Sequence, residues 1–438
     1  MIRGDSMHGK LVRLKRRREK RQGQLEPSCS DKVALVLSGG GVRGAYEVGV
    51  VAGVVEALDL KPQDDCPFRI FTGTSVGAIN AAFLAANADH GDLGISRLAD
   101  IWKGLEVKEH VRLNRLRLCR RQRKNGGALF DHSALEAVVS DSIDWRRLKR
   151  NVDDNTVHAL VVAAFEIAAA QTTMFAQLSP ETVFRVSRNP DRRVCRADIG
   201  ARHVLASAAI PFVFPARKID DGHYCDGGLR HNTPLSPAIR CGAEKLLIVS
   251  VVNGLEGGAG RAPNRTSLPG PAFMVGKILN ALMADPLSYD LERMERCNKM
   301  IAQLEQSLNG DEMERIDELL TQARGVSYRP LQKMVFMPSE DIGALAADYL
   351  RRALPRRGFS TLTRWLVRRA LASDTCLPGD LASVFLFDGG FAELLITMGK
   401  RDALRRRDEV RAFFGRGLAS LSRVGANTEI DGVGYGVA

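Results

Sequence analysis

Two short glycine-rich segments carry the residue types that ester hydrolysis needs. Gly73-Thr74-Ser75-Val76-Gly77 has the G-x-S-x-G spacing of a nucleophile elbow, a tight strand-to-helix turn that exposes a serine hydroxyl. Gly39-Gly40-Gly41-Val42-Arg43-Gly44 can present several backbone N–H groups to an oxyanion. G-x-S-x-G also occurs by chance, so by itself it leaves open a plain helix N-cap at Thr74 or Ser75. Together, the two segments predict a serine hydrolase with Ser75 as the nucleophile.

A serine hydroxyl is a weak nucleophile and needs a base beside it. In α/β-hydrolases the order is serine, then acid, then a histidine near the end of the chain. Here the last of the eight histidines is His231, and the 207 residues after it contain none. The best alternative base is Asp226, because Gly227 and Gly228 permit a sharp turn and leave room beside its carboxylate. Three histidines near this motif are left unassigned: His203, His223 and His231.

Four motifs in this order resemble the patatin-like phospholipase family. They are G-G-G-x-R-G at 39–44, G-x-S-x-G at 73–77, the proline block at 206–215, and D-G-G at 226–228 followed by Asn232-Thr233-Pro234. The family's first motif usually begins with aspartate, where this chain has Ser38. We expect this difference to cost little activity, because the backbone N–H groups of the glycines, and not this side chain, would bind the oxyanion. The close match covers about residues 32–252, and a looser similarity continues to about Phe414.

The resemblance implies a Ser–Asp dyad that needs no histidine, metal or cofactor. Ser75 would be the nucleophile, and Asp226 would take its proton and later one from the water that hydrolyses an acyl-serine. Arg43 would brace the glycine loop or meet a phosphate, or else form a structural ion pair. The oxyanion hole would consist of Gly39, Gly40 and Gly41. The turns around the dyad would depend on four supporting glycines: Gly73, Gly77, Gly227 and Gly228.

Two motif fragments point to other kinds of site. Gly39, Gly41 and Gly44 also satisfy G-x-G-x-x-G between a strand and a helix, with Asp64 or Asp65 downstream, which is a dinucleotide fingerprint. Three adjacent glycines and the other three motifs favour the hydrolase, so NAD binding is not expected. A second D-G-G at Asp388–Gly390 lacks the proline block and N-x-P. We predict a turn or a helix start there.

The elements that must position these residues alternate between strands and helices. Apolar runs predict strands at Val33–Leu37, Arg69–Phe71, Ala159–Phe165, Leu246–Val252 and Met334–Met337, with Val183–Val186 as a weaker candidate. Helices are predicted at Ala45–Leu58 and Val76–Ala86, and over much of Ala272–Leu320 and Ile342–Phe414. This alternation predicts an α/β protein, a three-layer α/β/α fold with a mostly parallel central sheet, plus a mainly helical C-terminal half.

The division of the chain follows its composition. We predict a basic flexible tail at 1–30, a catalytic core at 31–255, a loop at 256–270, a helical C-terminal part of the same domain at 271–415, and a tail at 416–438. No apolar run reaches the roughly 18 residues of a membrane span, and no signal peptide is recognised. The eight cysteines lack C-x-x-C or zinc spacing. A cytoplasmic protein with peripheral membrane association is expected; export without a cleavable signal is the alternative.

The net charge of +12 is unevenly distributed, with 22 of the 63 Lys and Arg residues in segments 10–21, 110–124 and 351–369. Such segments suggest an anionic partner. Aromatic residues make up only 6% of the chain and are not interleaved with the first two segments, so nucleic acid is not expected. The expected partner is a membrane lipid surface, and the alternative is ordinary amphipathic helices.

The expected function is that of a lipid acyl hydrolase of the phospholipase A type. The alternatives are a neutral-lipid or lysophospholipid esterase on the same fold, and a catalytically silent membrane scaffold. An acyl chain needs an apolar groove, for which Phe212, Val213 and Phe214 in the proline block are candidate lining residues.

Overall fold

The computed structural model describes residues 32–105, 133–186, 189–211, 213–252, 287–324, 329–353 and 383–415. Within these ranges all strands belong to one sheet: β1 Val33–Leu37, β2 Ile70–Thr74, β3 Ala159–Glu166, β4 Gln171–Leu178, β5 Arg192–Arg196, β6 Arg217–Ile219, β7 Gly222–Asp226, β8 Lys245–Val249 and β9 Gln332–Phe336. The α-helices are α1 Gly44–Ala57, α2 Val76–Ala86, α3 Ile95–Lys103, α4 Ser133–Ser142, α5 Trp145–Asp153, α6 Ala201–Ser207, α7 Leu235–Arg240, α8 Leu287–Ser307, α9 Gly310–Arg324, α10 Ile342–Ala353, α11 Gly389–Arg405 and α12 Arg407–Phe413.

The main path of the sheet runs β5-β4-β3-β2-β1-β8-β9. The five strands from β3 to β9 along this path form four neighbouring pairs, all of them parallel. Successive residues of β1 point to opposite faces, so Leu35 and Leu37 join a core cluster with α1, α2 and α11. Ala34 and Val36 join a second cluster with α7 and α8. Helices therefore cover both faces, and the predicted three-layer α/β/α fold is confirmed.

Strands β2 and β7 pair end to end along the same edge of β3. The opposite edge of β3 pairs with β4 along the whole strand. On the shared edge, β2 runs parallel to β3 and ends with Thr74 opposite Ala163. Strand β7 approaches antiparallel and ends with Asp226 opposite Ala164. Thr74 and Asp226 thus end their strands beside consecutive residues of β3, which brings the loops that follow them together.

The apolar runs located the five strands β1, β2, β3, β8 and β9. Strand β1 and helix α2 have the predicted bounds, and α1 begins and ends one residue earlier than predicted. The predicted strand Val183–Val186 is wrong, because this segment is a loop in which the exposed fractions of Val183 and Val186 are 68% and 61%. Strands β4, β5, β6 and β7 were not predicted, because their sequences mix polar residues with apolar ones.

The C-terminal helix α11 packs directly onto α1. A Cβ on Gly49 of α1 would lie 2.1 Å from the carbonyl oxygen of Ile396, and one on Gly399 would lie 2.2 Å from that of Tyr46. This close approach places the segment before α11 beside the glycine-rich loop before α1. The predicted helical character holds for 287–324, 342–353 and 389–413.

Several expectations concern residues outside the described ranges. These are the tails at 1–30 and 416–438, the loop at 256–270, and the basic segments 10–21 and 110–124, together with all but the first three residues of 351–369. The proposed division into domains stays a prediction. In the described ranges, no helix combines the length and the apolar composition that a membrane span requires.

Candidate active site

Ser75 occupies a strained turn between β2 and α2. Its φ is 54° and its ψ is −125°, a backbone conformation that costs a non-glycine residue about 1–3 kcal/mol. The flanking glycines permit the turn: a Cβ on Gly73 would lie 2.2 Å from the carbonyl oxygen of Gly77, and one on Gly77 would lie 2.6 Å from that of Leu37. The segment therefore forms the strand-to-helix elbow that its G-x-S-x-G spacing predicted.

Asp226 lies beside this elbow because β2 and β7 meet on the shared edge of β3. Its carboxyl is buried, with a residue exposure of 1%. Burial raises the pKa of Asp226 to about 6, and hydrogen bonds with the Ser75 side chain and the Gly228 backbone partly oppose that rise. A carboxyl that titrates near neutral pH is well suited to exchanging protons.

The two oxygens of Asp226 have different surroundings. Oδ1 accepts a hydrogen bond of 2.7 Å from the N–H of Gly228. Oδ2 is buried and meets no hydrogen-bond criterion with any described residue. Catalytic hydrogen bonds are often long or poorly aligned in free enzymes and tighten when substrate binds. A Cβ on Gly227 would lie 2.3 Å from the carbonyl oxygen of Ala163, which explains the glycine after Asp226.

The glycine-rich loop differs in one respect from the expected three-donor oxyanion hole. The N–H of Gly39 donates to the carbonyl oxygen of Asn232 at 3.3 Å, and Nδ2 of Asn232 donates back to the carbonyl oxygen of Gly39 at 3.2 Å. Among the described residues, no hydrogen-bond partner is found for the N–H of Gly40 or Gly41. Gly41 has a φ of +61°, and a Cβ there would lie 2.1 Å from the carbonyl oxygen of Val384. The geometry therefore leaves two N–H groups to receive an oxyanion.

Ser38 and Arg43 hold the two ends of this loop. Oγ of Ser38, where the family usually has aspartate, accepts a hydrogen bond of 3.1 Å from the N–H of Val251. The buried Arg43 guanidinium donates through Nε and Nη2 to Oγ of Ser383, at 3.0 and 2.7 Å. Of the roles expected for Arg43, this contact corresponds to bracing the loop against the segment that precedes α11.

The second D-G-G is a helix start, as predicted. Asp388 caps α11 by accepting hydrogen bonds from the N–H groups of Gly390 and Phe391, at 3.0 and 3.2 Å, and it also accepts one from the Tyr349 hydroxyl. Of the unassigned histidines, His231 and His203 are buried. Burial lowers the pKa of His231 to about 3 and that of His203 to about 4. Both rings are therefore neutral at physiological pH.

Sequence reasoning did not assign roles to the loop after Asp226. The segment 231–234 crosses the ends of β1 and β2, where Thr74 Oγ1 donates to the carbonyl oxygen of His231 at 2.9 Å. Thr72 Oγ1 donates to the carbonyl oxygen of Pro234 at 3.1 Å. Together with the Asn232–Gly39 pair, these bonds tie the base loop to the elbow and to the glycine loop. The N-x-P motif was the available signal for this role.

A buried polar chain links the glycine loop to the helices behind the elbow. Trp102 Nε1 donates to Oδ1 of Asn80 at 3.1 Å, and Nδ2 of Asn80 donates to Oε2 of Glu47 at 2.9 Å. Glu47 is completely buried, and burial raises its pKa well above the usual range, although hydrogen bonds from Asn80 and the Ser38 backbone oppose the rise. Burial therefore favours the neutral form of the Glu47 carboxyl in the folded protein.

We expect Glu47→Gln to change how stability depends on pH. The unfolded chain loses the Glu47 proton above about pH 4.3, whereas the raised pKa lets the folded chain keep it to higher pH. The free energy of unfolding of the wild type should therefore fall relative to that of Glu47→Gln as pH rises from 5 to 8, by at most about 1.4 kcal/mol per pH unit. Urea titrations at several pH values measure this. The same pH dependence in the wild type and in Glu47→Gln would contradict the prediction.

An apolar cavity lies against α2, the helix that begins directly after Ser75. It is lined by thirteen residues, of which only Ser142 is polar: Val76, Ile79, Phe83, Leu98, Ile101, Trp102, Leu105, Val138, Val139, Ser142, Ile143, Phe214 and Phe387. Of the three candidates from the proline block, Phe214 lines this cavity. Val213 is buried but does not line it, and Phe212 lies outside the described residues.

A three-layer α/β/α fold with a serine elbow, a glycine-rich loop and an adjoining apolar cavity is an arrangement typical of the hydrolase class. Residues 35–239 match the model of the patatin-like phospholipase family. This match spans 205 residues, a little under half of the chain, and confirms the resemblance that the four motifs indicated.

Three curated relatives carry names of the same kind. "Probable lipid hydrolase 463L" of Invertebrate iridescent virus 6 is 24% identical over 211 residues, which cover 47% of this chain and 63% of that protein. The "cGAMP-activated phospholipase" of Pseudomonas aeruginosa (strain BWHPSA011 / Pa011) is 28% identical over 202 residues, 46% of this chain and 53% of that protein. "Lysophospholipase nte1" of Aspergillus terreus (strain NIH 2624 / FGSC A1156) is 44% identical over 61 residues, 14% of this chain and 4% of that protein. The chain thus spans less than two thirds of the length of each.

Proposed function

We propose that this chain is a lipid acyl hydrolase of the phospholipase A type that acts through a Ser75–Asp226 dyad. The observation that carries the proposal is the meeting of β2 and β7 on one edge of β3, which places a strained serine beside a buried aspartate whose pKa is about 6. The family match and the names of the relatives support the lipid substrate class.

The first half of the reaction forms an acyl-serine. Oγ of Ser75 bonds to the ester carbonyl carbon while its proton passes to the Asp226 carboxylate. The N–H groups of Gly40 and Gly41 stabilise the resulting oxyanion, and the α2 N-terminus adds a favourable dipole. The carbon–oxygen bond to the alcohol then breaks, and the leaving alkoxide takes the proton from Asp226.

The second half releases the fatty acid. Water gives a proton to Asp226 and attacks the acyl carbon, and the bond from that carbon to Oγ of Ser75 breaks as Oγ regains the proton. Every transferred proton passes through Asp226, so the reaction proceeds without a histidine. The neutral histidines His203 and His231 take no part in this scheme.

The apolar cavity supplies the place for the acyl chain. Val76 follows the nucleophile directly and Ile79 lies one helical turn further along α2, so the cavity wall begins next to the reacting atom. Burying an apolar chain there contributes roughly 0.8 kcal/mol per methylene. A long acyl chain is therefore favoured over a short one.

We expect Ile79→Trp, which puts an indole into this cavity, to reduce hydrolysis of long-chain esters at least tenfold and to leave a short-chain p-nitrophenyl ester almost unaffected. Hydrolysis rates with acetyl, octanoyl and palmitoyl esters measure the effect. Val183→Trp, at an exposed loop position, is the control. If Ile79→Trp hydrolyses short-chain and long-chain esters at the wild-type rates, the acyl chain does not bind in this cavity.

A lysophospholipid is the second candidate substrate, since one relative is named a lysophospholipase. Product analysis separates the two: diacyl phospholipid as the better substrate supports the phospholipase A type, and monoacyl phospholipid as the better substrate supports the lysophospholipase. If a neutral lipid is preferred over both, the protein is better described as a neutral-lipid esterase. If no ester is hydrolysed, a catalytically silent membrane scaffold is favoured.

We further propose that the basic segments 10–21, 110–124 and 351–369 attach the protein to anionic membrane surfaces. Each Lys or Arg near such a surface contributes about 1 kcal/mol, and salt weakens the attraction. The same hydrolysis assay on vesicles with and without phosphatidylglycerol tests this proposal. Activity that is independent of both anionic lipid and salt would count against it.

A further inference from the structure

The segment Ser207–Ala209 contacts both the elbow and the strand that carries Asp226. Oγ of Ser207 accepts a hydrogen bond of 2.8 Å from the backbone N–H of Ser75. Two residues later, the carbonyl oxygen of Ala209 accepts one of 2.9 Å from the backbone N–H of Asp226. One short piece of chain therefore fixes the backbone of both members of the proposed dyad.

The Ser207 hydroxyl also binds β3, the strand with which β2 and β7 both pair. It donates to the carbonyl oxygen of Ala163 at 2.6 Å while it accepts from Ser75. Ala163 is the residue of β3 opposite Thr74, and its neighbour Ala164 is opposite Asp226. The hydroxyl of a serine can donate one hydrogen bond and accept another at the same time, as this arrangement requires.

The strain at Ser75 gives this contact its importance. A residue with a φ of 54° keeps that conformation only when its surroundings determine it. Ser75 is 3% exposed, and without Ser207 its N–H would be buried without a partner. Because the Ser75 N–H already donates to Ser207, it is not available to an oxyanion, and the N–H groups of the glycine loop have to stabilise that charge.

We propose that Ser207 is a positioning residue that sets the direction of the Ser75 hydroxyl relative to Asp226. The inference rests on the proposed function, since it assigns Ser207 a role in that reaction. Ser207 touches no reacting atom, so its loss should slow the chemical step and leave substrate binding in the apolar cavity intact.

The test compares Ser207→Ala and Ser207→Cys with the wild type on a p-nitrophenyl ester. Alanine removes the hydroxyl, and cysteine keeps a group of similar shape that accepts hydrogen bonds only weakly. Each should lower kcat about 10- to 100-fold while KM stays within about twofold, a split expected when a group acts only in the transition state. The control is Ser179→Ala, which removes another buried hydroxyl, bonded to Thr182 at 2.9 Å. It should keep wild-type kcat.

Thermal unfolding of each variant shows whether it is folded. If Ser207→Ala does not fold, the kinetics of Ser207→Cys provide the test. A folded Ser207 variant with kcat within threefold of the wild type, or a loss confined to KM, overturns the inference. Labelling of the wild type with a fluorophosphonate separates this outcome from failure of the proposed function. If wild-type Ser75 is not labelled, the dyad itself is wrong, whereas a labelled wild type with fully active Ser207 variants contradicts only the role of Ser207.

Discussion

Replacing Ser75 by alanine should lower kcat by about 10⁴- to 10⁶-fold on every ester that the protein hydrolyses. The reason is that the acyl-serine cannot form, and only binding and oxyanion stabilisation by the glycine loop remain. Initial rates on a short-chain and a long-chain ester measure the loss. KM should change little, because the apolar cavity is untouched.

The buried Ser179 again provides the matched control for Ser75→Ala. Ser179→Ala should retain full activity, because its hydroxyl bonds Thr182 and lies outside the proposed dyad. Equal activity of Ser75→Ala and the wild type would show that Ser75 is not the nucleophile.

Replacing Asp226 by asparagine should lower kcat/KM by about 10²- to 10⁴-fold, the range that a general base contributes. The amide has nearly the same shape but cannot accept the proton from Ser75. The wild type should also lose activity as pH falls through about 6, because protonation at the raised pKa removes the base. The residual activity of Asp226→Asn should lack this decline.

Asp388→Asn is the matched control for Asp226→Asn, since both aspartates are buried and both precede two glycines. Asparagine caps helices as well as aspartate does, so Asp388→Asn should fold and remain active. A pH–rate profile of kcat/KM from pH 4.5 to 9 compares all three proteins. Loss of activity in Asp388→Asn alone would move the base to the second D-G-G.

The sequence predicted those parts of the fold whose pattern is local. The continuous apolar run of Val33–Leu37 identified a buried parallel strand, and the G-x-S-x-G spacing identified a turn that only flanking glycines permit. Strand β7 could not be predicted in this way, because Gly222–Asp226 carries glycine, histidine and aspartate and is a strand only through pairing with β3 and β6.

The contacts around the site depend on residues far apart in the chain. Nothing local indicates that Ser207 bonds the N–H of a residue 132 positions earlier, or that Gly39 uses its N–H on Asn232. Likewise, the local sequence around Glu47 does not reveal that this side chain is completely buried beside Asn80 of α2. Such features follow from the packing of whole layers and become visible only in the folded structure.

The most direct measurement of the proposed mechanism is covalent labelling of the folded protein with a fluorophosphonate, followed by mass spectrometry of its peptides. We predict one phosphonyl group per chain, located on Ser75, no label in Ser75→Ala, and slower labelling in Asp226→Asn. Label that persists in Ser75→Ala, or no label on an active wild type, would contradict the account.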